Sequence, residues 1–122
     1  MIQAGFYWGQ TDGSLHLTVT GHAHAGPKGH DLVCAGVSVL ACTLGSAVGR
    51  LYEQAMLARC PKVQLEEGDA KIIAVPKEEN REAVQMVFWT IQNGMAAMAE
   101  CFPGNVELTQ ALKIEEKGKE TV

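Results

Sequence analysis

The chain has 122 residues, 47% hydrophobic and 20% charged, with a formal net charge of −4. That balance suits one globular domain with a modest core. It argues against disorder and against a nucleic-acid partner, which would need a clustered basic surface. No apolar run of about 18 residues is apparent, so no membrane helix and no membrane partner are expected. The opening stretch MIQAGFYWGQTDG has neither a positive leader nor a long apolar core, and does not read as a secretory signal. The cysteines are Cys34, Cys42, Cys60 and Cys101. None forms a CxxC pair, and the expectation is free thiols in a reducing cytoplasm.

Met1 to Trp8 is an apolar and aromatic run of strand length. Asp12-Gly13 marks a hairpin turn. Leu15, Leu17 and Val19 then alternate with His16, Thr18 and Thr20, the period of a half-buried strand with its polar side outward. This strand runs into Gly21-His22. Gly26-Pro27-Lys28-Gly29 reads as a loop. Asp31 is placed to cap a helix. Val33, Val37, Leu40, Leu44, Val48, Leu51 and Ala55 then recur at helical steps. Gly36, Gly45 and Gly49 weaken that helix but allow close approach to another backbone. It should end before Cys60-Pro61. Lys62–Leu65 and Ala70–Val75 are strands around a Glu66-Glu67-Gly68-Asp69 turn. Pro76 opens a second helix with Glu78 and Glu79 in its early turn. Val84, Val87, Phe88, Ile91, Met95 and Met98 form its apolar face, and Phe102-Pro103-Gly104 stops it. Val106, Leu108, Gln110, Leu112 and Ile114 allow a last strand. The order β-β-α-β-β-α-β predicts an α+β two-layer sandwich, with two helices on a mostly antiparallel five-stranded sheet. Residues 1–114 are expected to form the single domain, and 115–122 a charged tail.

The segment GHAHAGPKGHDLVC, Gly21 to Cys34, concentrates the reactive side chains. With Asp31 as cap, Cys34 falls in the first helical turn. Unpaired amides and the positive end of the helix dipole favour thiolate there, while the Asp31 carboxylate opposes it. His22 ends the preceding strand, and the loop can bring it over the helix start. Cysteine and histidine in reach of one another suffice for nucleophilic acyl transfer. Amides of the same helical turn are candidates to hold the oxyanion. Gly21 leaves room for a substrate backbone to approach. Ser38 lies one turn beyond Cys34 on the same face, either bonding near the sulfur or back-bonding to a helix carbonyl. Two other chemistries stay open. His22, His24, His30 and Cys34 are zinc-type donors, although H-x-H-x5-H-x3-C is no established spacing. Gly26, Lys28 and Gly29 precede a helix as a phosphate loop would, but the order G-x4-G-K-[ST] is missing. His16 points to the polar side of its strand.

Gly21-His22-Ala23, a short glycine-bearing loop, and then Gly29-His30-Asp31-Leu32-Val33-Cys34-Ala35-Gly36-Val37-Ser38 together resemble the signature of Prp, the ribosomal-processing cysteine protease family of bacteria, also called YsxB-like. The resemblance implies a cytoplasmic thiol peptidase that needs no cofactor or metal and forms homodimers. It implies a ribosomal-protein precursor as substrate, with removal of a short N-terminal extension from large-subunit ribosomal protein twenty-seven. It makes Cys34 the nucleophile and His22 the base, with Gly21, Asp31 and Ser38 in support and Gly26, Lys28 and Gly29 in a loop facing substrate. The alternative functions are a non-catalytic ribosome-associated binding module and a His/Cys zinc-site protein.

Overall fold

The computed structural model describes residues 1–23, 26 and 31–113. The strands are β1 (Ile2–Trp8), β2 (Leu15–Thr20), β3 (Lys62–Glu66), β4 (Asp69–Ala74) and β5 (Val106–Gln110). The long helices are α1 (Leu32–Glu53) and α2 (Arg81–Cys101), the latter entered through a 3-10 turn at Glu78–Asn80. The expected α+β order is therefore present. The strands form one sheet in the order β3-β4-β2-β1-β5.

Topology follows from connectivity. The β1–β2 and β3–β4 hairpins are antiparallel, and β2 pairs antiparallel with β4. A strand, a helix and a return strand must run in one direction. After α2 returns the chain to the starting end, β5 therefore runs with β4, and pairs in parallel with β1.

Both helices cover one face of this sheet. The period-two positions Ile2, Ala4 and Phe6 of β1, Leu15, Leu17 and Val19 of β2, and Ala70, Ile72 and Ala74 of β4 are buried beneath them. α1 contributes Val33, Val37, Ala41, Leu44 and Val48, and α2 contributes Val84, Phe88, Ile91 and Met95. Completely burying a Leu or Phe side chain stabilises by about 1.5–3 kcal/mol, so this shared core fixes both helices on the sheet. The expected approach of another backbone is not found at these glycines: Gly36 faces the Met98 side chain, Gly45 the side chains of Val63 and Leu65, and Gly49 open space.

The helix and strand ends depart from the sequence expectation in three places. First, α1 ends before Cys60-Pro61 as expected but already at Glu53, so Ala55 is not part of it. Ala55 takes the left-handed conformation, with φ 59°. Its N–H donates to the Tyr52 carbonyl and the Met56 N–H to the Leu51 carbonyl, both at 3.0 Å. That pair of bonds is a Schellman closure, which usually carries glycine at the left-handed position. Second, β5 ends at Gln110. Leu112 is still buried, because the Gln92 side chain accepts from its N–H at 2.6 Å and donates to its carbonyl at 3.1 Å. Gln92 satisfies both backbone groups as a neighbouring strand would. Third, the Gly21 position is filled from within the protein. A Cβ there would lie 2.2 Å from the Met1 carbonyl oxygen, so the close backbone is that of the N-terminus and not, as expected, that of a substrate. Ile114 and the expected tail lie outside the described residues.

The expectation of no membrane-length apolar helix also needs correction. α1 is long and apolar enough to cross a bilayer by length and composition. The exposed side carries Leu32, Val39 and Tyr52, 82%, 64% and 46% accessible.

The Ala55 cap yields a stability prediction. Ala55→Gly removes a left-handed penalty of roughly 1–2 kcal/mol and loosens the unfolded chain by about 0.4–1 kcal/mol. A net gain of up to about 1.6 kcal/mol, read as a higher denaturant midpoint at unchanged slope, is the expected result.

Candidate active site

β2 and α1 deliver the two reactive side chains to one place. β2 ends at Thr20, and Gly21 turns the chain with φ 95°. The Gly21 N–H donates to the Gly68 carbonyl at 3.0 Å, tying the end of β2 to the β3–β4 turn. His22 follows. At the other side of the loop, Asp31 caps α1 as expected, its carboxylate accepting from the Cys34 N–H at 2.9 Å. Cys34 and His22 line the same cleft, with a volume of about 370 Å3. Ser38 lines it too, with its side chain exposed. Among the described residues no helix carbonyl accepts from it, so back-bonding is not its role.

The Ala23 N–H donates toward the Cys34 sulfur at 3.4 Å. The Ala23 carbonyl is in turn held by Asn105 Nδ2 at 2.8 Å, while the Asn105 carbonyl accepts from the Ile2 N–H at 2.8 Å. Asn105 thus links the segment after His22 to the start of β5 and to β1. Sequence periodicity gave no signal for it.

Electrostatics at the thiol run against the simplest expectation for a helix start. Burial pushes the Cys34 thiol above its ordinary value. The Asp31 carboxylate, as acceptor and as charge, and the more distant Glu67 charge push the same way; the Ala23 N–H pulls it back only in part. The resting sulfur is therefore held as thiol rather than as a preformed thiolate. The expected oxyanion donors are also committed elsewhere: Asp31 receives the Cys34 N–H through its side chain and the Ala35 N–H, at 3.0 Å, through its carbonyl.

The far wall of the cleft comes from β3, β4 and their turn: Leu65, Glu66, Glu67, Gly68, Asp69 and Ala70. In the sequence Glu66, Glu67, Gly68 and Asp69 read as a turn and Leu65 and Ala70 as the ends of its flanking strands, with no link to the site. Gly68, with φ 74°, packs against the His22 ring. Of the residues expected in the loop, Gly26 is exposed; Lys28, Gly29, His24 and His30 lie outside the described residues. Among the described residues no group of three or more His, Cys, Asp or Glu side chains is arranged to hold a metal.

A Ser-His-Asp grouping sits at the opposite end of β2. Ser14 donates to Asp12 at 2.5 Å and meets His16 Nε2 at 2.7 Å, and Asp12 pairs with Arg59 at 3.0 Å. His16 stacks on Tyr7 with ring centroids 4.7 Å apart, so it is a half-buried partner rather than a free surface group. Ser14 is 1% exposed. Its hydroxyl fastens the hairpin turn and cannot meet a substrate.

Comparison with known proteins follows the same lines. A family model described as cysteine protease Prp matches residues 1–107. Among solved structures, the chain is similar to SMU.848 from Streptococcus mutans, at 31% identity over 93% of this chain and 96% of that one, with a TM-score of 0.62. It is also similar to the essential ribosomal processing protease Prp from S. aureus in complex with a covalently linked product peptide, at 24% identity, 90% and 99% coverage and a TM-score of 0.66. The same S. aureus protease in complex with a substrate peptide gives 21% identity, 90% and 99% coverage and a TM-score of 0.60. Nothing among curated proteins matches. With the family model spanning the hairpins, both helices and the start of β5, the chain belongs to the cysteine protease Prp family.

Proposed function

We propose that this cysteine protease is a ribosomal-processing endopeptidase, with Cys34 as nucleophile and His22 as general base, that removes the N-terminal extension of large-subunit ribosomal protein twenty-seven. The observation that carries the mechanism is the opening of both side chains on one cleft. Family membership supports the reaction class. The S. aureus relative, a ribosomal processing protease, supports the substrate class.

In this mechanism the thiol waits protonated. When a peptide carbonyl binds beside Sγ, His22 takes the thiol proton as the sulfur–carbon bond forms. The Ala23 N–H, the described donor beside Sγ, shifts from sulfur to the new oxyanion and takes the role expected of the helical amides. Protonated His22 then gives its proton to the leaving amine as the carbon–nitrogen bond breaks. Water, deprotonated by His22, hydrolyses the thioester and restores the thiol. The Asp31 cap holds the first turn of α1, and Ser38 meets the substrate. Gly26, Lys28 and Gly29 are assigned to substrate contact, and the peptide extends along the β3 edge. The four free thiols accord with work in a reducing cytoplasm.

A second copy of the chain covers the outward side of α1 in this reading. Leu32 and Val39, seven residues apart on one side of α1, are exposed apolar residues, as are Val63 and Leu65 of the edge strand, and the family resemblance points to homodimers. Val39→Glu should shift the protein to monomer in analytical ultracentrifugation; a monomeric wild-type chain at the same concentration ends the dimer reading.

Cys34→Ala and His22→Ala should each abolish cleavage of the ribosomal-protein precursor, with far-ultraviolet circular dichroism unchanged. Mass spectrometry of the new N-terminus reads the outcome. Persistent cleavage by Cys34→Ala removes the nucleophile assignment. Loss of cleavage on chelation with recovery on zinc addition favours the metal site, and a stable complex with uncut precursor favours the binding module.

The raised thiol pKa predicts a pH profile. A group held protonated by burial and by Asp31 supplies less thiolate at neutral pH, so alkylation of Cys34 by iodoacetamide should be slow there and rise with alkaline pH. Asp31→Asn keeps a capping side chain and removes the charge. Its alkylation midpoint should move to lower pH; an unmoved midpoint excludes the Asp31 contribution.

A further inference from the structure

We infer that the β3–β4 turn sets the working position of His22, with Gly68 as a positioning residue. This rests on the reading of His22 as the general base.

Two contacts join turn and histidine. The Gly68 carbonyl accepts from the Gly21 N–H at 3.0 Å, fixing the backbone one residue before His22. The His22 ring itself lies against Gly68: a Cβ built there would stand 2.8 Å from Nε2, 3.1 Å from Cε1 and 3.6 Å from Cδ2. The imidazole therefore occupies the space that any other residue at position 68 would fill. Gly68 also has φ 74°, which glycine adopts without penalty. The turn is short and fixed on both sides, because Glu66 pairs with Asp69 and β4 is hydrogen-bonded between β3 and β2. It forms a rigid stop beside the base, on the wall of the cleft that faces Cys34.

The contact has an unequal consequence for stability and for rate. A Cβ at position 68 meets the end of the His22 side chain and not backbone, so the relaxation falls on the ring. Beyond the backbone strain common to any left-handed glycine, the fold is spared, while a displacement of about 1 Å in a proton-transfer group costs on the order of 100-fold in rate.

Gly68→Asn isolates this effect, because asparagine tolerates the left-handed conformation but brings the Cβ. Gly13→Asn is the control: Gly13 has nearly the same φ, 68°, in the β1–β2 turn, and a Cβ there meets nothing within 4 Å. Both variants should shift the thermal midpoint alike. Gly68→Asn should lose on the order of 100-fold in kcat for a precursor peptide, while Gly13→Asn keeps wild-type kcat. Alkylation of Cys34 at alkaline pH, where the thiolate forms without a base, should match wild type in both. Wild-type kcat in Gly68→Asn, with His22→Ala inactive, overturns the positioning role and leaves the base intact. Activity in His22→Ala overturns the base itself. Equal loss of cleavage and of alkaline alkylation in Gly68→Asn also overturns the proposal, since the damage then reaches the thiol and not the ring. Should Gly68→Asn fail to fold, Gly68→Ala brings the same Cβ in a smaller side chain and is read by the same outcomes.

Discussion

The seating of α1 on the sheet is the constraint from which the cleft follows. Val33, Val37, Ala41, Leu44 and Val48 form one row, and all are buried. A helix locked along that row cannot rotate without exposing it to water. The angular position of Cys34, next to Val33 in the first turn, is thereby fixed at the mouth of the cleft rather than inside the core. The same sheet that receives the row ends β2 at Thr20, just before Gly21 and His22. Sheet and helix thus bring Cys34 and His22 to one cleft.

Around that frame the polar contacts serve two ends at once. Asp31 closes the start of α1 by accepting from the Cys34 N–H, and its charge makes the thiol harder to ionise. A good cap is in this respect a poor neighbour for a thiolate. In the proposed mechanism, this leaves proton removal to a base acting when substrate is present rather than to a preformed ion pair. Asn105 and Gly68 hold the His22–Ala23 segment from two directions: one anchors the Ala23 carbonyl to β5, and the other backs the imidazole from the β3–β4 turn.

Much of the fold was legible because period is a local property. The alternation in β2 and the three-and-four spacing in both helices are set by which side faces the core, and the core selects apolar residues at that period. Asp31 was legible as a cap for the same reason, since its partner lies three residues away. The ends were harder. Ala55 closes α1 in a conformation that favours glycine, so no residue type announced the stop. Gln92 is polar within an apolar helix face, and only the returning chain at Leu112 explains its burial.

By itself the sequence determined the element order, the helical start that bears Cys34, and the strand that leads to His22, because each is written within a few neighbouring residues. It also supplied the Gly-His and Asp-Leu-Val-Cys motifs that resemble the family. Only the tertiary structure decided that the β3–β4 turn forms the opposite wall of the cleft, that Met1 backs Gly21, and that Asn105 holds Ala23. Those contacts join residues far apart in the chain. They depend on strand order and register, which cooperative burial of the whole sheet selects and no local pattern encodes.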